Sequence, residues 1–147
     1  MDINMMFTEE QKAEIVNAIK EAELNTSGEI RVHIEKNCPE DVLDRAAFIF
    51  EKLKMHKTKL RNGVLFYLAV QDRKFAILGD AGINAKVPEG FWDNIKETML
   101  NHFKNGEFTR GLSEGIKMTG EQLKKHFPWK SDDVNELSDE ISFGNKI

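Results

Sequence analysis

The stretch GVLFYLAVQDRKFAILG, residues 63–79, decides the architecture. Residues 63–70 form a continuous apolar run, the pattern of a strand covered on both faces. Gln71, Asp72 and Arg73 leave room only for a hairpin, so residues 74–79 return antiparallel to their neighbour. A strand buried on both sides needs helices above and below it, and the flanking sequence supplies them.

Upstream, GEIRVHIEK (28–36) alternates, with Ile30, Val32 and Ile34 on one face and Glu29, Arg31, His33 and Glu35 on the other. That spacing predicts a half-buried strand. Between the two strands, Pro39 suits the first position of a helix whose apolar face is Leu43, Ala46, Ala47, Phe50 and Leu53, ending near Met55. Strand, helix and strand in one sheet form a right-handed crossover, so the two strands run parallel. Thr8 and Gln11 make a capping box for a first helix with Ile15, Val16, Ile19 and Ala22 inward. Two more helices follow Pro88, carrying Trp92, Ile95, Met99 and Phe103, then Leu112, Ile116, Leu123 and Phe127. The expected fold is a three-layer α/β/α sandwich on a mixed sheet, a parallel βαβ pair plus an antiparallel hairpin strand.

The 147 residues, 40% hydrophobic and 31% charged, fit one domain. It is expected over 1–130, with 131–147 as a mobile acidic tail. The tail holds five of the 25 acids and one of the 21 bases, which leaves a body with 20 of each. A neutral body excludes the basic face of a nucleic-acid binder. Val134, Leu137, Ile141 and Phe143 are the tail residues that would dock if it were not mobile. Cys38 is the single cysteine, so neither an intramolecular disulfide nor a CxxC pair can form, as suits a reducing cytoplasm. The longest apolar run, 64–70, is far below the roughly 20 residues that span a bilayer, and the opening MDINMMF lacks the features of a leader.

The crossover also places chemistry. It carries the chain back to the sheet edge where the first strand began, and the hairpin strand ends there too. Residues 26–29, 56–62 and 79–82 should therefore converge at the amino ends of the parallel strands. Glu29, Asn62 and Asp80 could offer oxygens to a hard cation there, weakly bound Ca²⁺ or Mg²⁺. Lys57, Lys59 and Arg61, in the acid-free KLKMHKTKLR (52–61), could hold an anion. Gly63, Gly79 and Gly82 are the turn glycines. The plainer alternatives are a Gly-Asp-x-Gly turn in which Asp80 bonds its own backbone and a solvated basic loop. His33 packs under a helix or is exposed, and His56 suits a helix C-terminus.

TSGEIRVHI (26–34), RNGVLFYLAVQDRKFAILGDAGI (61–83), FWDNI (91–95) and HFKNGEFTRGLSEGI (102–116), in that order, resemble the TPM domain family. That family takes its name from a thylakoid-lumen phosphatase-like protein, a photosystem II repair protein and a nematode receptor modulator. MHKT and FWDNI are similar to its small cytosolic bacterial branch. The resemblance implies an α/β/α sandwich. It also implies either acid phosphatase activity or divalent-cation binding, as in some relatives, or an accessory role in membrane assemblies or repair, as in others. Gly79, Asp80 and Gly82 match the family's turn, Asn62 and Gly63 the start of its central strand, and Glu29 the acidic residue opening the first strand.

Two functions follow as expectations. The favoured one is a non-catalytic binding or regulatory module for a protein partner or a phosphate-containing small molecule. The alternative is a weak metal-dependent phosphohydrolase, in which a cation at Asp80 polarises a phosphate and Lys57, Lys59 or Arg61 offsets its charge.

Overall fold

The computed structural model describes residues 3–24, 26–129 and 137–144. Helix α1 (Glu9–Glu23) leads into β1 (Glu29–Glu35), α2 (Val42–Lys52), β2 (Gly63–Ala69) and β3 (Lys74–Gly79). Then come α3 (Ala81–Lys86), α4 (Asp93–Lys104), α5 (Phe108–His126) and a two-residue β4 (Ser142–Phe143). The strand order is β3-β2-β1-β4. β1 and β2 pair in parallel from Glu29 opposite Gly63 to Glu35 opposite Ala69, and β3 returns antiparallel on β2.

All seven residues of β2 are buried, as its apolar run requires. Val64, Phe66 and Leu68 face a core shared with Ile15 and Ile19 of α1, Met99 of α4 and Ile116 of α5. Leu65, Tyr67 and Ala69 face the other way, against Ala46, Ile49 and Phe50 of α2 and Met55. Those two cores make the three-layer mixed α/β/α sandwich. In α5 the small residues recur where neighbours press closest. A side chain at Gly111 would collide with the Phe103 ring, at Gly115 with the Met99 thioether, and at Gly120 with Ala22 of α1. Among the described residues no helix is long and apolar enough to cross a membrane.

Three local features differ from the sequence expectation. First, α2 starts at Val42, because Asp41 rather than Pro39 sets its start: the Asp41 carboxylate accepts the Leu43 and Asp44 N–H groups. Its inward stripe is Ala46, Ile49, Phe50 and half-buried Leu53, while Leu43 and Ala47 face outward. Second, the polar face of β1 is not open to solvent. Glu29, His33 and Glu35 are buried and Arg31 is half-buried, because α2 and the C-terminal segment cover that face. Third, residues 137–144 pack on the body where a mobile tail was expected. Leu137 enters the α2-side core, and Ser142 and Phe143 pair in parallel with His33 and Ile34. Val134 lies outside the described residues.

Candidate functional site

At the amino edge the three segments meet through backbone bonds. The Glu29 N–H donates to the Asn62 carbonyl (3.2 Å), Asp80 N–H to Gly63 (3.0 Å) and Gly82 N–H to Arg61 (2.8 Å). The approach at Gly82 is so close that any Cβ would run into the Leu60 and Arg61 carbonyl oxygens. Glycine is therefore fixed there by backbone against backbone. At Gly79 a Cβ would stand 3.1 Å from Ile83 and 3.2 Å from Trp92.

Asp80 caps α3, its Oδ1 accepting the Ala81 N–H at 2.7 Å. Both of its oxygens are also gripped by Arg61, Nε to Oδ2 at 2.8 Å and Nη2 to Oδ1 at 2.8 Å. Burial alone would raise the Asp80 carboxyl, but the Arg61 hydrogen bonds and the Ala81 N–H outweigh it and hold the group below its ordinary range. The Asp80 side chain is 5% exposed and that of Arg61 50%. Arg61 adopts a left-handed backbone (φ 53°), which turns the chain into β2.

The remaining sequence candidates serve separate partners. Glu29 Oε1 accepts the Leu137 N–H at 2.6 Å. Asn62 donates its Nδ2 to the Ser27 carbonyl at 2.8 Å, while its Oδ1 is buried without a hydrogen-bond partner among the described residues. Glu29 and Asp80 hold register positions on either side of Gly63, two strand spacings or about 10 Å apart along the sheet. Met55 and Leu137 fill the space over Gly63 between them. The structure thus brings Asp80 to Arg61 and Asn62 to Ser27, but it does not gather the two carboxylates round one point. Among the described residues no three His, Cys, Asp or Glu side chains stand where they could hold a metal ion.

The expected anion trio is likewise divided. Arg61 and His56 line an open hollow of about 340 Å³ with Phe50, Glu51, Leu78 and Asp80. Lys57 and Lys59 are exposed outside it. The His56 Nδ1 is buried with no hydrogen-bond partner among the described residues.

A second polar cluster, absent from the sequence candidates, lies under α2. Glu35 receives both Arg45 Nε, at 3.0 Å, and Arg45 Nη2, and it accepts the Tyr67 hydroxyl. His33 Nε2 stands 3.2 Å from Glu35, within ion-pair reach but off a hydrogen-bonding axis, and its Nδ1 is 2.9 Å from Ser142 Oγ. Burial would raise the Glu35 carboxyl, but His33, Arg45 and Tyr67 together pull it down to about 2. Burial and the bond to Glu35 push the Tyr67 phenol up. One sequence signal could have found this cluster. Arg45 stands beside Ala46 in the inward stripe of α2, and a cation there needs a carboxylate beneath it. The buried Cys38 sits close by, its N–H donating to Asp72 at 2.6 Å.

A model of the TPM domain matches residues 1–122. The chain belongs to the TPM domain family. No curated protein matches it. Among solved structures, the NMR structure of the BA42 protein from the psychrophilic bacterium Bizionia argentinensis is 52% identical, with a TM-score of 0.89, over 94% of this chain and 95% of that one. The N-terminal domain of the cg2496 protein from Corynebacterium glutamicum shares the fold at 12% identity and a TM-score of 0.68, over 92% and 84% of the two chains. A P. gingivalis N-terminal domain does so at 20% and 0.66, over 84% and 83%. The TPM match takes in both the Asp80–Arg61 edge and the Glu35 cluster, and it ends before the segment that supplies Leu137 and Ser142.

Proposed function

We propose that this TPM domain is a non-catalytic binding module that docks a phosphate-bearing or acidic partner on its basic amino edge. The observation that carries the reading is the division of labour between Asp80 and Arg61. The carboxylate is committed to capping α3 and to fixing the guanidinium, whose side chain stays half exposed at the mouth of the hollow. An oriented guanidinium offers a planar fork for phosphate or carboxylate oxygens. Exposed Lys52, Lys54, Lys57 and Lys59 surround it in sequence with no acid among them. Phe48, flanked by Arg45 and Lys52, and Leu60 add exposed apolar surface for a protein partner. In a phosphohydrolase the same Asp80 would have to leave Arg61 to hold a metal.

A second reading, a weak Ca²⁺ or Mg²⁺ site, is favoured by the Asn62 Oδ1 beside Glu29, which has no hydrogen-bond partner among the described residues, since a buried neutral oxygen suits a hard cation. Amide NMR titrations separate these readings. Phenyl phosphate should shift His56, Arg61 and Gly79 without release of inorganic phosphate, and Arg61→Ala should abolish the shifts. Cation binding would instead move Glu29 and Asn62. Turnover of the ester that disappears in Asp80→Asn would overturn the binding reading in favour of the hydrolase.

A further inference from the structure

The outer edge of β1 carries an arrangement that the basic edge does not use. We propose that it is a binding site for an extended peptide, occupied in cis by the chain's own residues 137–144. Among the described residues β4 pairs with two of the seven β1 residues, His33 and Ile34. Further toward the start of β1 the ladder is stopped, because the Ile30 N–H donates to the Glu23 carboxylate at 3.0 Å rather than to a strand. A short ladder leaves recognition to side chains.

The structure shows four such positions. Leu137 is buried in the α2-side core, and its N–H is held by Glu29. Ser142 meets His33. Phe143 packs on the opposite core cluster with Lys12 5.8 Å above its ring. Gly144 lies so close to Glu35 that a Cβ there would stand 2.5 Å from its Cγ. The site therefore selects an apolar residue, then after four residues a hydroxyl, an aromatic and a glycine, in parallel with β1. Main-chain pairing for affinity and side-chain positions for selectivity are how strand-addition sites take peptides.

The occupant also carries a mismatch. Burial and the facing Asp139 carboxyl push Glu23 up to about 9, so at neutral pH Glu23 keeps its proton and an acid faces an acid. Tethering compensates for such a mismatch. A segment carried on the same chain has an effective concentration on the order of millimolar, enough to keep it docked and still exchangeable. The ligand class is thus an extended peptide from another polypeptide with the pattern Leu-x4-Ser-Phe-Gly, and one without a carboxylate at the Asp139 position binds better.

The test uses the full-length protein and a labelled peptide, LSDEISFG, copied from residues 137–144. Binding should be at least about tenfold tighter to full-length Phe143→Ala, whose own segment is weakened, than to the wild type. His33 and Ile34 amides should shift. A peptide with the Asp139→Asn change should gain affinity several-fold, and one with Phe143→Ala should lose it about tenfold. No saturation on the Phe143→Ala protein up to several millimolar peptide, with its His33 and Ile34 amides already showing the segment displaced, would overturn the proposal. Should that variant not fold, deuterium exchange on the wild type decides. Amides of 142–143 opening faster than those of β2 support exchange, whereas equal protection makes the segment an integral strand.

Discussion

Arg45–Glu35 and Arg61–Asp80 are the same chemical unit, an arginine fork on a carboxylate, set in two different surroundings. Glu35 lies beneath α2 and joins three elements, through Arg45 of α2, Tyr67 of β2 and its own strand. Next to it, His33 ties in the C-terminal segment through Ser142. Asp80 serves one short helix and one loop, with its arginine half in water. The number of elements a buried carboxylate ties together, more than the fork itself, sets what its loss costs. Water can replace a partner readily at the amino edge, where the Arg61 side chain is 50% exposed, and much less under α2, where that of Arg45 is 20% exposed.

Breaking the inner pair should therefore have the largest effect. Glu35→Ala leaves Arg45 and the Tyr67 hydroxyl without their acceptor in a buried site and should cost roughly 3–5 kcal/mol in urea unfolding. Leu137→Ala, on the segment that covers the same face, should cost less, because its loss cannot exceed the free energy with which that segment docks. Removal of residues 137–147 should then lower the melting temperature, where a mobile tail would have left it unchanged. Asp80→Ala should cost about 0.5–2 kcal/mol, the ordinary worth of a helix cap, with Asp80→Asn milder because asparagine also caps. Arg61→Ala should move melting least of all while losing the anion response. A larger loss from Asp80→Ala than from Glu35→Ala would invert the comparison and make the amino edge the structural keystone.

Acid sharpens the same contrast. Glu35 sits at about 2 in the folded chain against an ordinary 4.5, so the folded state resists its protonation. Its contribution to stability is whole above pH 4.5 and is lost as pH falls toward 2. Stability measured from pH 6 to 2 should drop across that window in the wild type. Glu35→Gln should flatten the drop, and Asp80→Asn should leave most of it in place.

Much of this arrangement was legible in the sequence. The run 63–70 required cover on both faces, three residues at 71–73 required a hairpin, and chain reversal then required three loops at one edge. The Glu35 cluster was not legible from β1 because alternation separates two faces without saying what lies over either. Glu35 reads as a residue of the polar face and His33 as either packed under a helix or exposed until α2 is laid across them. Asp80 was legible as a turn residue. Its engagement by Arg61 was not, because the fork depends on the left-handed turn at Arg61. β4 is two residues long and carries no period to recognise.

The glycines of α5 bear on the order in which the molecule assembles. Gly111, Gly115 and Gly120 each lower intrinsic helicity by about 1 kcal/mol relative to alanine, so the segment has little tendency to coil up alone. What makes it helical is the fit of Phe103, Met99 and Ala22 into the three gaps, and those partners must be in place first. Helix α5 should therefore be a late element in the folding reaction, unstructured in the transition state while the β1–α2–β2 crossover is already formed. Substitutions along α5 should then speed unfolding and leave the folding rate almost untouched.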